Sequence, residues 1–165
     1  MKIYIYGYSG SGKSTLAHYL ADQFNITPLY LDTVHWLPNW IERDQDDEYK
    51  IVDDFLNTHD EWVIDGNYTR LQRERRCKEA DLIIFMNFNR YDCFKRAMKR
   101  YEDNIGKTRE SMTEGCDEKF DFEFACWILW EGRSEKAVKL HWDIVERYKE
   151  KVVIINNQKE LDDFM

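Results

Sequence analysis

Gly7-Tyr8-Ser9-Gly10-Ser11-Gly12-Lys13-Ser14-Thr15 is the stretch that decides the fold. It satisfies G-x-x-x-x-G-K-[ST], in which glycines let the backbone wrap closely around phosphates while consecutive N–H groups point inward. The pattern has meaning only between a strand and a helix, and both are present. The β-patterned run 2–6 precedes it, and Leu16, Leu20 and Phe24 recur every four residues behind it as one apolar face. The helix that starts here adds the positive end of its dipole. In this reading residues 7–15 cradle the phosphates of a nucleotide, Lys13 reaches the β- and γ-phosphates, and the Ser14 hydroxyl ligates Mg²⁺.

Outward from the loop, short β-rich runs alternate with longer helical patterns, the signature of a parallel α/β sheet. The runs are 2–6, 28–31, 62–64, 82–88 and 152–155. Val52, Phe55 and Leu56 mark one helix, Phe94, Met98 and Tyr101 another, and Val138, Trp142 and Val145 a long one near the C-terminus. Residues 102–133 break the rhythm. The stretch 103–115 is polar and reads as a mobile insertion, followed by Phe120, Phe122, Phe124, Trp127 and Trp130. It is either a lid over a ligand site or an insertion that packs on the domain. No repeat or low-complexity linker divides the chain, so the expectation is one domain, with residues 33–60 as an acceptor-binding region.

Ligands of such sheets bind at the carboxyl ends of the strands, where the phosphate loop also lies. The second and third strands end there in Asp32 and Asp65, each placed to hold metal-bound water or to accept a proton from an attacking hydroxyl. His35 and Trp36 follow Asp32 and can wall a planar acceptor, whereas Trp40 reads as packing. The run 42–54 holds seven acids against two bases and reads as a solvated helix face. Cations cluster after the third strand (Arg70, Arg73, Arg75, Arg76, Lys78) and after the fourth. Among the latter, Arg96 and Arg100 share a helix face four residues apart. With Arg133, they are candidates to stabilise the charge that spreads over a transferring phosphoryl group.

The composition limits the partners. The chain has 165 residues, 24 Lys and Arg against 32 Asp and Glu, and a net charge of −8. A pI near 5.1 argues against coating nucleic acid, which demands a basic face. A hydrophobic fraction of 43% excludes a disordered acidic tail, although the mean hydropathy is −0.72. No apolar run of membrane-spanning length and no signal-peptide pattern occurs, which places the chain in the cytoplasm. Cys77, Cys93, Cys116 and Cys126 form no C-x-x-C pair and read as reduced thiols; the four histidines form no metal pair. A GTPase would need N-K-x-D after a later strand, and the chain lacks it.

Read in order, GYSGSGKST, LDTVHWLPNW, WVIDGNYTR, ADLIIFMNFNR with its following R-x-x-x-R, and VVIINNQKELDDF resemble the DNA topology modulation protein family, P-loop proteins similar to adenylate kinase. The resemblance spans nearly the whole chain. It implies a P-loop NTPase fold with a five-stranded parallel sheet of order 2-3-1-4-5 flanked by helices, like a nucleoside monophosphate kinase with a lid. It also implies ATP as donor and Mg²⁺ as cofactor. Asp65-Gly66 looks like the D-G that opens the D-G-F-P-R segment of adenylate kinases, where the Asp helps hold Mg²⁺ through water. Here Asn67-Tyr68-Thr69-Arg70 follows, without the proline and with the arginine one residue later. Asp32 resembles the strand-end Asp of kinases acting on small hydroxyl substrates. The expectation is thus a phosphotransferase acting on a small molecule, nucleoside or nucleotide. Asp32, His35, Trp36, Gly66, Asn67, Tyr68 and Arg70 would line the acceptor site. Ser14, Asp32 and Asp65 would hold the metal, and Lys13, Arg96, Arg100 and Arg133 would act on the phosphoryl group. The alternatives are a nucleotide-gated regulatory or DNA-associated protein with little transferase activity, and a simple ATPase.

Overall fold

The computed structural model describes residues 1–165. Strand β1 (Lys2–Gly7) runs through the phosphate loop into helix α1 (Lys13–Phe24). Strand β2 (Thr27–Tyr30) passes directly into the short α2 (Leu31–His35). A two-residue hairpin follows, β3 (Trp36–Leu37) with β4 (Ile41–Glu42), and then α3 (Gln45–Thr58). The chain continues through β5 (Trp62–Asp65), α4 (Arg73–Glu79), β6 (Leu82–Met86) and α5 (Arg90–Asp103). After turns it forms α6 (Phe122–Leu129), α7 (Glu135–Arg147), β7 (Val152–Ile155) and α8 (Gln158–Phe164).

The main sheet is parallel throughout, in the order β2-β5-β1-β6-β7. Counting its five strands alone, this is the expected 2-3-1-4-5. Each crossover needs a helix, and the helices cover both faces, so the central strands lose contact with water on both sides. Ile3, Tyr4, Ile5, Trp62, Val63, Ile64, Ile83, Ile84 and Phe85 are all 0% exposed. Each such side chain contributes roughly 1.5–3 kcal/mol by burial. β1 is the middle strand, which fixes the loop at its end on the most rigid part of the molecule.

Two helical faces differ from the sequence expectation. In α1 the buried stripe is Leu16, Ala17, Leu20 and Ala21, while Phe24 in the last turn is half exposed. In α5 the buried residues are Cys93 and Ala97, and Met98 faces outward. The reason is steric: α5 packs directly on the phosphate loop. A Cβ at Gly10 would stand 2.4 Å from the Cys93 carbonyl oxygen and 3.3 Å from the Ala97 Cβ. Only small side chains fit there. Helix α4 was read in the sequence only as a basic cluster, yet Arg76 within it is fully buried. Its guanidinium donates to the carbonyls of Leu71, Gly66 and Tyr68, at 2.8, 3.1 and 2.6 Å, and lies over the Tyr4 ring. All four thiols are free, and no helix is long and apolar enough to cross a membrane.

The insertion is tethered on both sides. Glu118, 5% exposed, pairs with Arg100 of α5 at 2.7 Å and with Arg109. The Cys116 thiol donates to the Leu37 carbonyl, and the Asn39 amide donates to Gly115. Residues 113–116, at the end of the polar stretch 103–115, therefore lie against the β3–β4 hairpin, whereas Ile105 and Gly106 are open to solvent. The aromatic run divides: Phe120 packs between Phe94 and Phe124, whereas Phe122 and Trp130 face solvent.

Candidate active site

The loop joins β1 to α1 through three glycines at positive φ: Gly7 (139°), Gly10 (81°) and Gly12 (96°). All three are also closely approached. A Cβ at Gly7 would meet the Met86 carbonyl oxygen at 2.4 Å, and one at Gly12 would meet the Arg96 guanidinium at 2.3 Å. Only glycine allows this backbone path, which leads into an α1 N-terminus that no side chain caps.

Ser14, in the first turn of α1, donates from Oγ to Asp65 Oδ2 at the end of β5, at 2.6 Å. Asp65 is 5% exposed, and its Oδ1 is buried without a hydrogen-bond partner. Burial pushes its carboxyl up to about 6, opposed by the Lys13 charge and the Ser14 hydroxyl and reinforced by Asp32. An orphaned carboxylate oxygen beside a hydroxyl suits a hard dication. No group of three or more His, Cys, Asp or Glu side chains converges anywhere, so a cation here would complete its shell with water and substrate phosphates, as Mg²⁺ does. The residues present fit Mg²⁺ with a nucleotide.

A groove of about 1310 Å³ opens in front of this pair. On the donor side it is lined by Ser9, Gly10, Gly12, Lys13, Ser14, Thr15, Arg96 and Arg100. Tyr8 lies behind, 6% exposed and covered by Arg133, and Ser11 is fully buried. The Lys13 ammonium donates to the Tyr8 carbonyl at 3.2 Å. Arg96 reaches the loop at Gly12, lies over the Phe88 ring and donates to Gln158 of α8. Trp127 of α6 donates from its indole to Ser9 at 3.2 Å, closing the donor side with the insertion.

On the acceptor side lie Asp32, His35, Trp36, Trp40, Gly66, Asn67 and Tyr68. Tyr68 donates to Asp32 Oδ1 at 2.8 Å. The indole planes of Trp36 and Trp40 meet edge to face at 5.4 Å, so Trp40 belongs to the groove wall and does not pack α3 onto the sheet. Behind the wall, Glu48 of α3 is 0% exposed. It binds Arg70 with both oxygens, at 2.9 and 3.0 Å, and contacts His35 Nδ1 at 2.5 Å. The acidic run is thus not wholly solvated.

Four expected residues are turned to other work: Arg70, held by Glu48, does not line the groove, Arg100 is paired with Glu118, and Arg133 and Asn67 serve the fold around the loop. Arg133 donates to the carbonyls of Ile128 and Phe88 and to the Cys93 sulfur, and lies 3.7 Å over the Tyr8 ring. It lines a small cavity with His141 behind the loop, outside the groove. Asn67 lines the groove but spends its amide on the backbone of Gly7, accepting from N at 3.0 Å and donating to O at 2.9 Å. Glu48, Arg109, Glu118 and Gln158 were missed by the sequence reading, and Trp127 was noted there only within the aromatic run of the insertion. Only Glu48 left a signal there, since Glu48, Val52 and Leu56 recur every four residues on one face.

No protein-family model matches the chain, and no curated protein matches it in sequence. The likeness to DNA topology modulation proteins therefore rests on the motifs alone. Among solved structures the chain is similar to P-loop small-molecule kinases. A shikimate kinase from Bacteroides thetaiotaomicron is 16% identical, with a TM-score of 0.53 over 99% of this chain and 93% of that one. A shikimate kinase from Acinetobacter baumannii in complex with shikimate is 15% identical, with a TM-score of 0.51 over 99% and 87%. A gluconokinase from Sinorhizobium meliloti 1021 is 16% identical, with a TM-score of 0.50 over 98% and 85%. At these identities the likeness establishes the fold.

Proposed function

We propose that the chain is an ATP- and Mg²⁺-dependent kinase that phosphorylates a hydroxyl group of a small molecule. The observation that carries this reading is the Ser14–Asp65 pair. It stands at the lysine end of a phosphate loop, with one carboxylate oxygen unpartnered, and opens onto a groove whose far side presents Asp32. The kinase fold of the structural neighbours supports it.

In this mechanism the loop amides and Lys13 would hold the donor phosphates, and Ser14 and Asp65 would hold the metal, with Asp32 near them. Bound Mg²⁺ would neutralise charge on the phosphates. Asp32, fixed by the Tyr68 hydroxyl, orients the acceptor hydroxyl and accepts its proton at a carboxylate oxygen. Arg96 supplies positive charge beside Gly12, while Arg100, one turn further along α5, is held by Glu118. The phosphoryl-stabilising role first considered for Arg100 and Arg133 as well falls to Arg96, because the donors of the other two are already engaged. The arginines after β5 give little support to a nucleic-acid surface: Arg76 is buried, and Arg70 and Arg75 are paired with acids.

The test is Mg–ATP binding and turnover in the wild type and in Lys13→Ala, against a panel of nucleosides, nucleotides, sugars, gluconate and shikimate. Phosphorylated acceptor is followed by mass spectrometry. The expected result is a phosphorylated acceptor with the wild type and a loss of about 10²-fold or more in the variant. Unchanged ATP affinity in Lys13→Ala, or release of inorganic phosphate with no phosphorylated acceptor, would reject the kinase reading.

A further inference from the structure

The charges around the groove divide by partner, and the division discriminates between acceptors. On the acceptor side every cation is already matched. Arg70 is held in a fork by the fully buried Glu48. Where the two sides meet, Arg100 and Arg109 share Glu118. Lys119 lies 3.8 Å from Asp121 and 4.6 Å over the Trp40 ring. The cations of the groove without an acidic partner, Lys13, Arg96 and Lys99, belong to the phosphate loop and to α5.

The acids are the reverse case. Asp32 has the Tyr68 hydroxyl as its partner and no cation. Asp65 has the Ser14 hydroxyl. Glu42, at the rim, has only His35 Nε2 at 3.9 Å. Between these carboxylates stand two indoles, edge to face, with the His35 ring 4.4 Å from that of Trp36. With Asp65 given to the metal, a carboxylate or phosphate on the acceptor would still meet Asp32 and Glu42, neither paired with a lysine or arginine, and find no free guanidinium on that side. A flat apolar face would instead pack on Trp36 and Trp40 while hydroxyls hydrogen-bond to Asp32.

We propose that the acceptor is a hydroxyl compound without negative charge, such as a nucleoside or a neutral sugar, seated on Trp36 and Trp40, and that anionic counterparts are rejected. This rests on the kinase reading above and narrows its acceptor.

The experiment measures binding and transfer separately on the full chain. The phosphate loop is first filled with a non-hydrolysable ATP analogue and Mg²⁺, so that added anions cannot report on the donor site. Matched pairs are then titrated by tryptophan fluorescence: uridine against uridine 5′-monophosphate, and glucose against glucuronate. The uncharged member of at least one pair is expected to bind at least tenfold tighter than its anionic counterpart. In Trp36→Phe the fluorescence response should fall, and in Glu42→Gln, an exposed position, the penalty on the anion should shrink. Tighter binding of the anion in both pairs, or binding by neither uncharged compound, overturns the inference. Product analysis with ATP separates the two levels. A neutral ligand that binds but is never phosphorylated sinks the kinase reading and leaves the charge rule standing. An anion that binds and is phosphorylated does the opposite.

Discussion

Asn67 and Gly7 are joined by two hydrogen bonds that imitate a strand pairing, the Gly7 amide to Oδ1 and Nδ2 to the Gly7 carbonyl. Asn67, two residues beyond β5, thereby completes the end of β1, just where β1 turns into the phosphate loop. A substitution at Asn67 should disturb the loop even if the acceptor is absent. Asn67→Ala removes both bonds in a partly buried place, at a cost of about 1–3 kcal/mol in urea unfolding. Nucleotide affinity should fall in the same variant. Intact nucleotide binding with reduced acceptor binding would show instead that Asn67 serves the acceptor.

Gly10 supports a second prediction, about space and not about hydrogen bonding. Its φ of +81° is strained for other residues, and an added Cβ would press on the Cys93 carbonyl of α5 at 2.4 Å. Gly10→Ala should cost about 2–4 kcal/mol, strain and overpacking combined. Gly106 is the control. Its φ is +69°, and nothing lies within 4 Å of an added methyl, so Gly106→Ala should carry the strain alone, about 1–2 kcal/mol. Equal losses in the two variants, by chemical denaturation, would mean that the loop does not rest on α5 as described.

How much of this was legible beforehand follows from the range of each interaction. The phosphate loop is local, nine consecutive residues whose chemistry is written in their own backbone demands. The five β-rich runs were legible for the same reason, and the right-handed parallel crossovers that join them left little freedom in how they pair. The buried face of α1 was read correctly at Leu16 and Leu20 and missed only at Phe24, whereas that of α5 was misread because large apolar residues were counted. The stripe that packs on the loop needs small ones, Cys93 and Ala97, and that need arises from a contact distant in sequence. Arg133 and Glu118 fail in the same way: their partners lie in other elements, and sequence does not show which donors are already occupied. Glu48 was legible in principle, because it falls on the Val52–Leu56 stripe, but a run of acids concealed it.

Glu48 gives the third prediction. It is wholly buried, and it is shared by Arg70, whose side chain is 41% exposed, and by His35. Removing the buried partner leaves a cavity and frees two polar groups behind the acceptor wall. Glu48→Ala should lose about 3 kcal/mol, and Glu48→Gln, which keeps the shape, about 1–2 kcal/mol. Because Arg70 remains solvated, its coupling to Glu48 in a double-mutant cycle with Arg70→Ala should be modest, about 1–2 kcal/mol. Additive losses would show that the pair is incidental. A kinase assay on Glu48→Gln should show a higher acceptor KM with little change in the nucleotide KM, since the residue supports His35 and not the loop.

His141 carries the last prediction, on acid stability. Its ring lies among those of Tyr6, Tyr8 and Phe85, at 5.5, 5.1 and 5.4 Å, and burial pushes its pKa down to about 4, helped by the charges of Lys13, Arg73 and Arg133. The folded protein therefore keeps the imidazole neutral while the unfolded chain takes up a proton below about 6.5. Where the unfolded state binds more protons, stability falls as pH falls. His141 thus lowers stability progressively from pH 6.5 down to about 4, with a slope of at most about 1.4 kcal/mol per pH unit. Asp65 acts with the opposite sign over part of this window: with its carboxyl pushed up to about 6, the folded state protonates first and gains stability as pH falls. Comparison with His141→Phe cancels that contribution, because Asp65 is present in both proteins. Urea unfolding from pH 7 to pH 4 should show a shallower acid limb in His141→Phe than in the wild type. The two curves should separate below pH 6.5 and run parallel above it. Parallel curves over the whole range would mean that the ring is solvated in the folded state and that Arg133 does not seal the cavity behind the loop.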